Sequence, residues 1–337
     1  MAKRRAVAAD PARSIAERFE AFDDLLESEV GDTNLHRARN LEREVDLRQI
    51  YLKFEGGNPS GTQKDRIAFA QVADALRRGY DAITVATCGN YGVAVSMAAW
   101  LAGLRCTLFV PDRYTGRRVE EMVAYGAEIR RVSAGYEETV LASRAWAEEA
   151  GVYDGNPGGE NVPIQLHAYG QIAYEIYDEL RDAPAIVAVP VSNGSTLAGI
   201  HRGFQSLYRR GKTSRMPRIV GGSTHRMNPI VHGFLTGMDK CPDLDPTRIH
   251  ETPVNEPLIN WHSIDGDAAL SAIRQTGGWA EYATDRQLRE FARLLRSKEG
   301  LDVLPASTAG LIALLTSPRR ADLEADRFVV ILTGRGT

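Results

Sequence analysis

From about residue 82 the chain alternates two kinds of stretch. Short runs dense in β-branched and other apolar residues are followed by longer stretches whose apolar positions recur every three or four residues. The first kind reads as a strand buried on both faces, the second as an amphipathic helix. The pattern predicts strands at 83–87, 106–110, 128–132, 185–191, 218–221 and 328–332. It predicts helices at 91–102, 118–125, 136–150, 167–180, 197–208, 285–297 and 307–315. Upstream, Ile67–Leu76 reads as a further helix running on from Lys64. Strands alternating with helices argue for parallel sheets covered by helices. Two such sheets are expected, giving an α/β protein of two lobes. Residues 225–283 break the rhythm with His, Asn, Pro, Trp and Gly and read as an irregular insertion.

Composition narrows the class. The 337 residues suffice for two lobes, and 43% hydrophobic with 25% charged residues is ordinary for a globular protein. A net charge of −3 gives no general attraction to nucleic acid or to an anionic membrane. The apolar runs are too short to span a bilayer. The basic N-terminus lacks an apolar signal region and reads as a frayed tail. Three widely spaced cysteines, Cys88, Cys106 and Cys241, fit a reducing cytoplasm with no structural disulfide or metal site.

Four segments carry candidate chemistry. Lys64 ends the turn-rich run Gly-Gly-Asn-Pro-Ser-Gly-Thr-Gln-Lys at a turn-to-helix junction. A fixed amine there can condense with an aldehyde, although the same run also suits a plain turn with a solvated lysine. Ser192, Asn193, Gly194, Ser195 and Thr196 lie between a strand and a helix. A loop of small polar residues before a helix binds phosphate through its unbonded amides and the helix dipole. Thr87, Cys88, Gly89 and Asn90 form a second strand-to-helix loop, suited to a carboxylate, with Asn90 as the helix cap in the bland alternative. Thr333 ends the last apolar run, where it could equally satisfy backbone. Cys88 has no evident base and is read as a small loop residue.

In order, these segments resemble a known family. Residues 56–66 resemble the Asn-Pro-Thr-Gly-Ser-Phe-Lys-Asp-Arg segment of threonine synthases, members of the tryptophan-synthase-β, or fold-type II, group of pyridoxal phosphate (PLP) enzymes. Gly31-Asp32-Thr33-Asn34-Leu35, Thr87–Gly92, Tyr169-Gly170-Gln171 through Glu175, Ser192–Gly199 and Leu332–Gly336 resemble further motifs in family order. The resemblance implies that Lys64 carries PLP and moves protons. It implies that Ser192–Thr196 cradle the cofactor phosphate, and that Asn90 and Thr333 meet the ring. Thr87, Cys88, Gly89, Asn90 and Gln171 would bind the substrate carboxylate. It also implies a smaller lobe of about 58–175, a larger lobe of 1–57 and 176–337, a cofactor between them, and a homodimer.

The implied reaction is elimination or replacement at Cβ or Cγ of an amino acid, most like that of threonine synthase. A serine or threonine ammonia-lyase, a cysteine- or cysteate-forming synthase, and a non-catalytic PLP or amino-acid carrier are the alternatives. Departures bear on substrate: Asn34 replaces Pro, Gln63 replaces Phe or Trp, Cys88 replaces Ser, and Tyr91 replaces Thr. Arg113, Arg117 and Arg118 could meet a distal phosphate or simply be a solvated helix start.

Overall fold

The computed structural model describes the whole chain apart from Cys88, Ala134, Glu324, Ala325 and Thr337, and the side chains of Ala321 and Asp322. Among the described residues the strands in chain order are β1 (Leu35–Arg37), β2 (Ile50–Phe54), β3 (Ala82–Ala86), β4 (Arg105–Pro111), β5 (Glu128–Val132), β6 (Tyr153–Asp154), β7 (Ile186–Pro190), β8 (Arg218–Thr224), β9 (Trp279–Ala283) and β10 (Phe328–Leu332). The chain divides into two compact units. One is Met1–Gly31 with Asn58–Ala168; the other is Asp32–Gly57 with Tyr169–Thr337.

The first unit holds a parallel sheet of order β5-β4-β3-β6. Every residue of β3 is buried, which is why its sequence is apolar without alternation. Helices Lys64–Arg77 and Asn90–Ala102 pack side by side. The N-terminus is not a frayed tail. Helices Ala2–Ala8 and Ile15–Glu29 join this unit, the second opened by a capping box between Ser14 and Glu17. Phe22 and Leu25 are fully buried, and Phe22 stacks on Phe69 with centroids 5.7 Å apart. Residues 1–31 therefore pack with 58–168, whereas the sequence suggested they belong to the larger lobe. The later boundary falls inside helix Val162–Leu180, after Ala168 rather than at 175.

The second unit holds a six-stranded sheet of order β1-β2-β10-β7-β8-β9. All its neighbours are parallel except β1, which pairs antiparallel with β2. The last strand, β10, is central, with Phe328 opposite both Ile50 and Ile186. Helix Ala309–Thr316 lies hard against the sheet: a Cβ on Gly222 would stand 1.9 Å from Ala309 O. The two parallel sheets flanked by helices bear out the expected fold class. Residues 225–283, however, are not merely irregular. They contain helices Pro229–Leu235 and Gly266–Gln275 as well as β9.

Candidate active site

In the first unit, a closed set of local hydrogen bonds sets the position of Lys64. Asn58 Oδ1 accepts from Gly31 N–H at 3.0 Å, and Asn58 O accepts from Gly61 N–H at 2.8 Å. Asp65 accepts from Ser60 N–H at 2.8 Å, and Thr62 Oγ1 accepts from Lys64 N–H at 3.2 Å. Lys64 is the first residue of its helix and is half-buried. Among the described residues it forms no ion pair, so its amine is not held by a carboxylate. Among the described residues, two buried polar atoms of the same turn, Ser60 Oγ and Gln63 Oε1, have no hydrogen-bond partner.

The loop after β3 does not use Asn90 as the helix cap, the bland alternative of its sequence reading. Thr87 Oγ1 accepts from Gly89 N–H at 3.2 Å and Gly92 N–H at 2.9 Å. Gly89, not Asn90, is thus the N-cap of helix Asn90–Ala102, while Thr87 holds the Gly92 amide of its first turn, its Cγ2 2.4 Å from where a Gly92 Cβ would be. Asn90 is the first helical residue, half-buried, with no side-chain hydrogen bond among the described residues. A Cβ on Gly89 would meet nothing within 4 Å. Cys88 lies outside the described residues. Tyr91 turns inward, donating to Gly155 O at 2.7 Å beside Gln71. Its replacement of a threonine therefore serves the core. Arg117 and Arg118 both pair with Glu121, at 3.0 and 2.9 Å, as a solvated helix start would. Cys106 and Cys241 are free thiols whose pKa burial pushes up to about 12, so neither is a ready nucleophile.

In the second unit, the loop Ser192–Gly194 joins β7 to helix Ser195–Arg209. The first hydrogen bond of that helix runs from Ala198 N–H to Gly194 O. Among the described residues, the five backbone N–H groups from Asn193 to Leu197 have no acceptor. Gly194 has φ +91, and a Cβ there would lie 2.8 Å from Asp265 O and 2.9 Å from Ala269 Cβ. Only glycine suits this turn.

Residues that sequence reasoning passed over brace this loop. Asn228 Nδ2 donates to Ser192 O at 3.0 Å, Ser263 Oγ donates to Ser192 O at 3.3 Å, and Asn260 Nδ2 donates to Asn193 Oδ1 at 2.9 Å. Asp265 N–H donates to Asn193 O at 2.9 Å, and its carboxylate is hydrogen-bonded to Ser195 Oγ. Burial raises the Asp265 pKa, against the effect of the Ser195 hydrogen bond. All four braces come from 225–283. The Asn228-Pro229 pair, a capping residue before a first-turn proline, was the one local signal available.

Thr333 follows β10 and is half-buried, with its hydroxyl 3.0 Å from Ser307 Oγ. Ser307 also accepts from Gly334 N–H at 3.2 Å and was not anticipated. Because β10 and β7 are adjacent and parallel, Thr333 and the Ser192 loop leave the same edge of the sheet. Such an edge, beyond the carboxyl ends of parallel strands, is where open α/β sheets bind ligands. Gln171 lies half-buried on helix Val162–Leu180 and belongs to the second unit, whereas Thr87, Gly89 and Asn90 belong to the first. Two further motif residues meet through Lys53, which is 1% exposed. Its Nζ donates to Thr33 O at 2.6 Å and pairs with Glu175 at 2.5 Å, while Thr33 Oγ1 donates to Glu55 at 2.7 Å.

Comparison with known proteins bears on this arrangement. Residues 26–334 match the family described as pyridoxal-phosphate dependent enzyme. A threonine synthase of Methanocaldococcus jannaschii is 30% identical over 309 residues, covering 91% of this chain and 75% of that one. A threonine synthase of a Bacillus species is 29% identical over 308 residues, covering 91% and 83%. Among solved structures, the processed form of threonine deaminase isoform 2 from Solanum lycopersicum superposes with a TM-score of 0.77 at 14% identity, covering 98% and 92%. Maize serine racemase gives 0.75 at 18% identity, covering 95% and 94%. The structural likenesses speak for the fold alone. The family match spans both units and takes in the lysine-headed helix, the amide-lined loop and the terminal threonine, and the chain belongs to the family of pyridoxal-phosphate dependent enzymes.

Proposed function

We propose that the chain is a threonine-synthase-like lyase, converting O-phospho-homoserine and water to threonine and phosphate. The observation that carries this reading is the identity with a threonine synthase over 91% of the chain. The residues present fit the cofactor. Five unbonded amides at a helix N-terminus, with Gly194 allowing close approach, suit a phosphate.

Bound PLP draws electrons from the substrate α-carbon. Lys64 would supply the amine that holds the cofactor and would take the substrate α-proton. The amides at the start of helix Asn90–Ala102, with Asn90, would orient the substrate carboxylate. Thr333, its hydroxyl 3.0 Å from Ser307 Oγ, would offer the cofactor ring a neutral partner. A neutral partner does not enforce ring protonation, which favours elimination and replacement over transamination.

A second reading, β-elimination from serine or threonine, draws on Gln63. Its buried, unpartnered Oε1 makes the position before Lys64 polar, where threonine synthases tend to have Phe or Trp. The purified chain with PLP should be offered O-phospho-homoserine, O-phosphoserine, O-acetylserine, serine and threonine. Threonine and phosphate appearing one for one from O-phospho-homoserine is the expected result. Ammonia and a 2-oxo acid from serine or threonine, with no threonine formed, would favour the second reading. The few, widely spaced cysteines and the family resemblance support a cytoplasmic homodimer, to be checked by sedimentation for the oligomeric state. Among the described residues no helix is long and apolar enough to cross a membrane.

A further inference from the structure

The phosphate loop carries a carboxylate. Asp265 stands just before helix Gly266–Gln275 and is 7% exposed. It touches the loop at three points: its N–H at Asn193 O, its carbonyl against Gly194, and its carboxylate at Ser195 Oγ. An ionised carboxylate beside an anion site opposes the anion.

Ser195 adds a constraint of its own. A serine hydroxyl has one proton to donate and two lone pairs. With that proton on Asp265, Ser195 turns only lone pairs to a phosphate oxygen, itself an acceptor. The surrounding charges do not compensate. Among the described residues no cation pairs with Asp265. Asp267 accepts from Cys241 N–H, Asp243 pairs with His262 at 2.8 Å, and the Cys241 thiol lies against Gly266. Asn260 and Ser263 on the facing segment are neutral.

We propose that Asp265 is a positioning residue for the cofactor phosphate: as the phosphate docks, Asp265 takes up one proton from solvent and donates it in a hydrogen bond to Ser195 Oγ, and Ser195 turns its own proton to a phosphate oxygen. No bond to phosphorus forms or breaks, and one proton enters per phosphate bound. This rests on the reading of Ser192–Thr196 as the cofactor cradle. A buried, water-poor site can keep a carboxylic acid neutral so that it donates, and burial acts on Asp265 in that direction.

Binding that consumes a proton weakens as pH rises. The dissociation constant should climb by up to about tenfold per pH unit between the free and bound pKa of Asp265. The test uses the full-length chain, stripped of cofactor, from about pH 6 to about pH 9. Pyridoxine phosphate, which has the phosphate but no aldehyde, probes the loop without Lys64. Asp265→Asn keeps a donor to Ser195 without the charge. It should bind the probe at least about tenfold more tightly than wild type at the high end and converge with it at the low end. Calorimetry in two buffers of different ionisation enthalpy should show the wild type taking up about one proton more than Asp265→Asn. Parallel affinity curves, or weaker binding by Asp265→Asn at every pH, would overturn the proposal and leave Asp265 a structural brace. Should Asp265→Asn fail to fold, the wild-type proton uptake decides alone, and uptake near zero overturns it. A wild-type chain that binds neither the probe nor PLP would sink the cradle reading as well.

Discussion

Lys64 owes its place to its neighbours. Ser60, Thr62 and Asp65 bond within the turn, Asn58 ties it to Gly31, and together they deliver the amine to the head of a buried helix, unpaired with any acid among the described residues. Lys64→Ala should lose the borohydride-reducible attachment of PLP and at least about a thousandfold in turnover. Peptide mass spectrometry after reduction checks the attachment; an adduct on another lysine would displace Lys64 from its role. At the next loop the structure separates two jobs that the sequence left merged. Thr87 holds the first turn of the helix through the Gly92 amide, and Asn90 is left with an uncommitted side chain among the described residues. Thr87→Val should cost about 1 kcal/mol of stability. Asn90→Ala should melt like wild type yet lose more than about tenfold in kcat/KM, more than a lost cap could explain. Thermal melts and steady-state kinetics on both variants decide the assignment.

At the scale of elements, buried charge ties segments together. Lys53 on β2 joins the Thr33 segment to Glu175 of helix Val162–Leu180. Lys53→Met would leave Glu175 without this partner. Removing one member of a buried pair typically costs about 3–5 kcal/mol, and a loss of that order in urea unfolding is expected here. Adding Glu175→Gln should recover part of it; no recovery would mean that the pair is not coupled. Asp326, just before β10, is bound by Arg215 at 2.6 Å. The hydrogen bond from Arg215 holds its carboxyl below the ordinary value, against the effect of burial. A depressed folded pKa contributes stability above the unfolded value and loses it as pH falls through the folded one. Asp326→Asn should therefore melt below wild type at about pH 7, and the gap should close below about pH 4. A gap unchanged at low pH would show that the charge is not what matters.

Across the whole molecule, the chain enters the second unit before residue 57, leaves it, and returns from residue 169 to complete the sheet. The last strand is inserted between β2 and β7, and all five of its residues are buried. Removing residues 327–337 would delete the centre of that sheet. Scanning calorimetry of the shortened chain should show no cooperative transition for the second unit, and a wild-type-like melt would refute the central role of β10. Much of this architecture was legible beforehand, because strands buried on both faces must be apolar throughout and covering helices must be amphipathic. The strands at 128–132 and 328–332 and the helix at 136–150 match their expected bounds. Lys64 and the Ser192–Thr196 loop were legible for a related reason: small turn residues beside a helix start are a local signal. Partners distant in sequence left no such trace. Asp265 reaches Ser195 across 70 positions, and Ser307 reaches Thr333 across 26. The sequence by itself determined most of the strands and helices after residue 82, and it marked Lys64 and the Ser192–Thr196 loop as candidates for the amine and the anion cradle. Only the tertiary structure decided that β10 is central, that residues 1–31 pack with 58–168, that Thr87 holds the Gly92 amide, and that 225–283 braces the loop. The physical reason is range: spacing within a segment follows from its own backbone periodicity, whereas strand order and hydrogen-bond partners follow from burying every segment at once.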